Sequence, residues 1–162
     1  MKKLDFNSAY NYATLLLKYR DRSESEIISR LEKRGYSKQL IEEVVLKLKE
    51  FKFLDDEKFI RSYIEKNLQK GKSFNLILYE IKKKYNITPS ESVLSEFRQK
   101  YSESKFETII PILVKKFEKK IYLPNYMNKL QNFLLRKGYG YEDIREITQL
   151  FLSKIKKENN YD

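Results

Sequence analysis

A chain of 162 residues with 41% hydrophobic content is long enough to bury a core, and its 4 glycines and 3 prolines are too few for the turn-rich wiring of an all-β protein. The absence of cysteine excludes disulfides and thiolate metal sites and agrees with a reducing compartment; the absence of histidine removes the commonest general base and zinc ligand. The 34 Lys and Arg against 23 Asp and Glu leave a net +11, an attractive field for phosphates or for an acidic protein surface.

The surplus runs the whole length, with 12 basic against 8 acidic residues in 1–54, 10 against 7 in 55–102 and 12 against 8 in 103–162. Lys2 and Lys3 are followed by polar and charged residues in place of an apolar leader core. No run approaches the ~20 apolar residues of a membrane span. The expectation is a cytoplasmic chain with no membrane attachment.

In chain order, Leu4, Tyr10, Ala13, Leu16 and Leu17 make a first helical face, Ile27, Ile28 and Leu31 a second, and Ile41, Val44, Val45, Leu48 and Phe51 a third. Ser23, three residues before Glu26, predicts a capping box at the start of the second helix, and Gly35 ends it. The next copy reads as Phe59, Tyr63 and Ile64, then Phe74, Ile77, Leu78 and Ile81, then Val93, Leu94, Phe97 and Tyr101. The last reads as Phe106, Ile109, Ile110, Leu113, Val114 and Phe117, then Met127, Leu130 and Leu134, then Ile144, Ile147, Phe151 and Ile155. Pro111 predicts a kink in this copy's first helix, or a late start there.

An internal repeat organises these faces. Arg34-Gly35-Tyr36 returns as Lys137-Gly138-Tyr139 at an offset of 103, and at that offset Ile27 falls on Leu130, Ile41 on Ile144, Val44 on Ile147 and Leu48 on Phe151. At half the offset, Tyr85-Asn86-Ile87 supplies a middle turn, with Asn in the left-handed cap position. The fold class predicted is all-α: three tandem three-helix repeats, at 1–54, 55–102 and 103–162, forming an elongated, curved, solenoid-like array.

Asp55-Asp56-Glu57 is the one compact carboxylate cluster. Adjacent side chains point apart, so it is read as the acidic opening of a helix in preference to a metal site. The glycines fit no phosphate-cradle spacing. Basic residues recur near predicted helix ends, at Lys82, Lys83 and Lys84, at Lys115 and Lys116, at Lys119 and Lys120, and at Lys154, Lys156 and Lys157, as suits a polyanion followed over a distance. Most Phe positions fall on core faces; Tyr19, Tyr36 and Tyr139 are kept as base-stacking candidates, while Arg34-Gly35-Tyr36 and Lys137-Gly138-Tyr139 also read as helix C-caps with the tyrosine packing back on the core.

The segment Leu16 to Ile27, containing Arg20-Asp21-Arg22-Ser23 and Glu26, followed by Leu31, Lys33, Arg34 and Gly35, resembles the RecX signature, a leucine-rich helix leading to R-x-R-S-x-x-E-L and K-x-G. Phe53-Leu54-Asp55-Asp56-Glu57-Lys58-Phe59 is similar to that family's L-D-D-x-x-F junction, and Gly71, Ile77, Glu80 and Ile81 fit its second repeat. The chain departs from the pattern at Lys52 and Asn86, where glycine is usual, and at Asn67 and Asn75, where arginine is common.

The resemblance implies a non-enzymatic, cofactor-free monomer that lodges in the groove of the RecA nucleoprotein filament. It implies inhibition of ATPase, strand exchange and filament growth, and hence restraint of recombination, DNA repair and the SOS response, with single-stranded DNA contacted weakly or inside the filament. Candidate contacts are Arg20, Arg22, Lys33, Arg34, Arg61, Arg136 and Lys137 together with Lys82 to Lys84, Lys115, Lys116, Lys119 and Lys120. Two other readings of the residues stay open: a helical protein that binds duplex DNA directly, and a helical-repeat scaffold for another acidic partner.

Overall fold

The computed structural model describes residues 4–159, so Lys2 and Lys3 lie outside the described residues. Within that span the chain is all-helical and has no strand. Its helices are α1 Phe6–Tyr19, α2 Glu24–Glu32, α3 Lys38–Glu50, α4 Asp56–Gln69, α5 Phe74–Tyr85, α6 Glu91–Glu103, α7 Ile109–Phe117, α8 Tyr126–Arg136 and α9 Tyr141–Asn159, with a 3-10 turn at Glu118–Lys120. No described helix is long and apolar enough to cross a membrane.

Local chemistry sets the boundaries. Asp5 and Ser8 cap α1 reciprocally, with Ser8 N donating to Asp5 Oδ1 at 2.9 Å. Ser23 accepts from Glu26 N at 3.2 Å and Ser37 from Leu40 N, which starts α2 and α3. The capping box predicted at α2 is only half made, because the Glu26 carboxylate turns to Arg20 instead of its own helix start. Asp55 Oδ1 accepts from Lys58 N at 3.0 Å and opens α4.

Helices α2 and α8 end alike. Tyr36 N donates to Leu31 O and Tyr139 N to Leu134 O, across left-handed glycines at φ +84 and +85. Asn86 takes the same region at φ +55. So does Lys52 at φ +56, a conformation that disfavours a side chain, at the position where the family pattern has glycine. Pro111 does not mark the start of α7. The helix begins two residues earlier, and proline sits in the first turn, where its missing N–H has no intrahelical partner to lose.

The chain divides into two compact units, one of Met1–Tyr63 with Ile81–Val93, the other of Ile64–Glu80 with Leu94–Asp162, so the division passes through α4, α5 and α6. In the first unit Ala9 and Ala13 of α1 let the helices approach closely over Ile27, Leu31, Ile41, Val44 and Leu48. In the second, Ile109, Leu113, Leu130, Leu134, Ile144, Ile147 and Phe151 form the corresponding core under α7, α8 and α9. One polar contact recurs in both units. Ser25 Oγ, in the first turn of α2, donates to Tyr85 O, and Ser73 Oγ, which also accepts from Leu76 N to cap α5, donates to Gly138 O at 2.7 Å.

Candidate functional site

The segment between α1 and α2 is held from inside. Arg20 leaves the helix in an extended conformation and forks onto Glu26, at 2.6 Å to Oε1 and 3.2 Å to Oε2, which raises the guanidinium pKa further. Arg22 folds back under α1, where Nε donates to Leu16 O at 3.3 Å. Its side chain is only 11% exposed, Nη1 lies 3.6 Å from Glu26 without a hydrogen bond, and burial opposes its charge. Asp21 accepts from Ser62 Oγ at 2.8 Å, and the α2 amide of Glu24 is received by Asp56 Oδ1 at 2.8 Å. The middle acid of Asp55-Asp56-Glu57 therefore serves another helix, and its pKa is raised, chiefly by burial.

The outward arginines lie beside this junction. Arg34 stands 3.6 Å from the Tyr12 ring centroid. Arg30, four residues earlier on α2, opposes the charge of Arg22, and Tyr12 favours it. Arg34 and Arg30 are exposed, whereas Arg20 keeps 47% of its side chain exposed while paired with Glu26.

The second unit repeats the arrangement with lysine. Lys116 Nζ is 5.0 Å and Lys137 Nζ 5.5 Å from the Phe133 centroid. Lys137 also donates to Lys70 O at 2.6 Å, and its pKa is lowered first by burial, then by the charges of Lys72, Lys116 and Lys70. Lys33 and Arg136 flank the two turns and are exposed, as are Lys82, Lys83 and Lys84 in the last turn of α5. Lys115 lies in the last turn of α7, and Lys119 and Lys120 follow in the 3-10 turn. Arg61 is half-buried within α4.

Sequence reasoning missed Tyr12, Arg30 and Lys70. The spacing of Arg30 and Arg34 by one helical turn was the available signal for one of them. Of the three tyrosines kept for stacking, Tyr36 and Tyr139 are buried in the cores, and burial holds the Tyr139 hydroxyl far above the usual phenol range. Tyr19 alone is open, at 79% exposure. Forked guanidiniums and clustered ammonium groups of this kind hold oxyanions, carboxylate or phosphate, by charge and hydrogen bonds.

Residues 9–48, which contain Arg22, Arg30 and Arg34, match the family model described as RecX, first three-helix domain. Regulatory protein RecX of Finegoldia magna is 26% identical over 159 residues, covering 90% of this chain and 73% of that protein. Regulatory protein RecX of Clostridium tetani is 32% identical over 143 residues, covering 81% of this chain; the chain spans 61% of that protein's length. Among solved structures, RecX from Lactobacillus salivarius superposes with a TM-score of 0.64 at 24% identity, over 91% of this chain and 96% of that one, which establishes the shared fold. A second regulatory protein RecX structure gives a TM-score of 0.68 at 22% identity, over 89% of this chain and 73% of that one. By signature, domain match, whole-chain similarity and fold, this chain belongs to the RecX family of regulatory proteins.

Proposed function

We propose that the chain is a negative modulator of recombination that binds the RecA nucleoprotein filament and inhibits its ATPase, strand exchange and growth. The observation that carries this reading is the exposed Arg34 guanidinium stacked on Tyr12, with Arg30 exposed one turn before it on α2, inside the segment matching the first RecX domain. Filament-bound single-stranded DNA is polyanionic, and recombinase subunits offer carboxylates; fork-shaped donors suit both. Under this proposal Arg20, Arg34 and the lysines of the second unit make the contacts, while Arg22 holds the junction that presents them. The chain acts as a cytoplasmic monomer without cofactor or catalysis. Its functional division is three repeats, 1–54, 55–102 and 103–162.

The test is RecA ATPase on single-stranded DNA with added protein. Wild type is expected to suppress turnover, and Arg→Lys changes at Arg20, Arg22 and Arg34 are expected to impair suppression more than they impair binding to naked DNA, once circular dichroism has confirmed folding. Full inhibition by the triple variant would remove these arginines from the mechanism. An ATPase untouched by wild-type protein would reject the reading.

A further inference from the structure

Helices α2 and α3 enclose a groove of about 290 Å³ floored by Ile28, Ile41, Val45 and Leu46 and rimmed by Glu24, Glu32 and Glu42. Leu46, in the middle of α3, is 71% exposed along it. A groove of the same construction, about 480 Å³, lies between α8 and α9, and the repeat offset of 103 relates the two position by position. Met127 stands for Glu24, Gln131 for Ile28, Leu135 for Glu32, Arg145 for Glu42, Thr148 for Val45 and Gln149 for Leu46. Ile144 stands for Ile41, and Met127, Leu135 and Ile144 keep the second groove partly apolar, so the backbone framework does not dictate the acidic rim, which belongs to the first groove alone of the pair.

Two of the three acids of that rim, Glu32 and Glu42, are not accounted for by ion pairing. Glu24 is paired with Lys49, but Glu32 and Glu42 have no ion-pair partner among the described residues, and Lys38 is the only other cation lining the groove. Glu32 is the last residue of α2, where a negative charge opposes the helix dipole. In a chain of net +11, a groove with an excess of acid is a local reversal of sign. Its floor offers nothing to a phosphate, and its rim repels one.

We propose that the α2–α3 groove is a docking site for a basic amphipathic helix of a partner protein, with aliphatic anchors one turn apart seated on Ile28, Val45 and Leu46 and flanking Lys or Arg paired with Glu32 and Glu42. The occupant is helical because anchors spaced at i, i+3 and i+4 match a groove formed by two packed helices. It is basic because charge complementarity at the rim selects it against the repulsion of the whole chain. This site is separate from Arg34 stacked on Tyr12, and the proposal stands or falls independently of the RecA reading.

The test uses the full chain and two synthetic probes of roughly 18 residues, long enough to be helical. One is an amphipathic Leu/Lys peptide, the other the same peptide with Glu for every Lys. The expected result is binding of the Leu/Lys probe, read by fluorescence anisotropy, with methyl NMR shifts at Ile28, Val45 and Leu46. Glu32→Lys with Glu42→Lys is expected to weaken that binding by about tenfold or more, and Leu46→Ser likewise; all three positions are solvent-exposed, and circular dichroism checks the fold. Because the chain is cationic overall, capture of a cationic probe reports local complementarity. Absence of binding, equal occupation of the groove by the Leu/Glu probe, unchanged affinity in the double Glu variant, or shifts confined to the α8–α9 groove would each overturn the proposal.

Discussion

The Gly35 and Gly138 turns share backbone, spacing and buried leucine, yet one is bare and the other covered. A methyl group added at Gly35 would meet nothing within 4 Å, whereas at Gly138 it would run into Leu76 and come within 2.7 Å of Ser73 Oγ. The second turn is roofed by the corner between α4 and α5: Ser73 N donates to Lys137 O at 2.8 Å, Ser73 Oγ to Gly138 O, and Lys137 Nζ to Lys70 O. Arg30 replaces Phe133 at the equivalent helical position, so the bare turn carries exposed guanidiniums where the covered one carries a ring. The same supersecondary unit thus serves as a packing surface in one place and leaves an exposed basic surface in the other.

If the cores below the two turns are equivalent, Leu31→Ala and Leu134→Ala will each cost about 2–5 kcal/mol, since both leucines are fully buried. Urea denaturation reads this, and an unperturbed midpoint in either variant would break the equivalence. Above the cores the turns should diverge. Gly35→Ala bears only the left-handed backbone strain of about 1–2 kcal/mol, whereas Gly138→Ala adds a clash worth about 1–3 kcal/mol more. Equal losses from the two glycine variants would mean that the roof over Gly138 yields freely.

The roof's own hydrogen bonds come next in size. Ser73→Ala removes the α5 cap and the donor to Gly138 O together, and is expected to cost about 2 kcal/mol against about 1 kcal/mol for Ser23→Ala, whose hydroxyl accepts the α2 cap bond but no roof contact. The smallest effect belongs to Asp56, the side chain that reaches α2 from α4. Asp56→Asn keeps an oxygen for Glu24 N and removes a partly desolvated charge, so stability at neutral pH should shift by no more than about 0.5 kcal/mol. The pH trend is more telling. The folded-state pKa of Asp56 is raised, so between its ordinary and raised values the folded chain binds more protons than the unfolded one. Wild type should therefore gain stability relative to Asp56→Asn as pH falls through that window; a loss would reverse the assignment.

The helical class and the pairing of Gly35 with Gly138 were legible because both rest on local signals, a 3.6-residue apolar period and a cap that tolerates few residues. Lys52 was legible as a departure from the family pattern, and its left-handed backbone is the physical meaning of the glycine usually found there. The destination of Asp56 was not, because an acid at N1 looks the same whether it serves its own helix or a neighbour 32 residues away. The inward turn of Arg22 was hidden for a related reason: a long amphipathic side chain fits a surface and an interior equally well in a pattern, and only packing partners decide, whereas the packing of Tyr36 and Tyr139 on the cores was legible from their place just after the cap glycines.

The bond from Ser73 to Gly138 spans 65 residues, and synthesis proceeds from the N-terminus. Helix α5 leaves the ribosome on the order of several seconds before the turn that completes its hydrogen bonding. By contrast, the contact that ties Tyr36 to α1, its hydroxyl donating to Ser8, closes within 28 residues. The first three helices can therefore assemble while the rest of the chain is still being made. The side of α5 that carries Leu76 lacks its neighbour at Gly138 until the turn between α8 and α9 has been made.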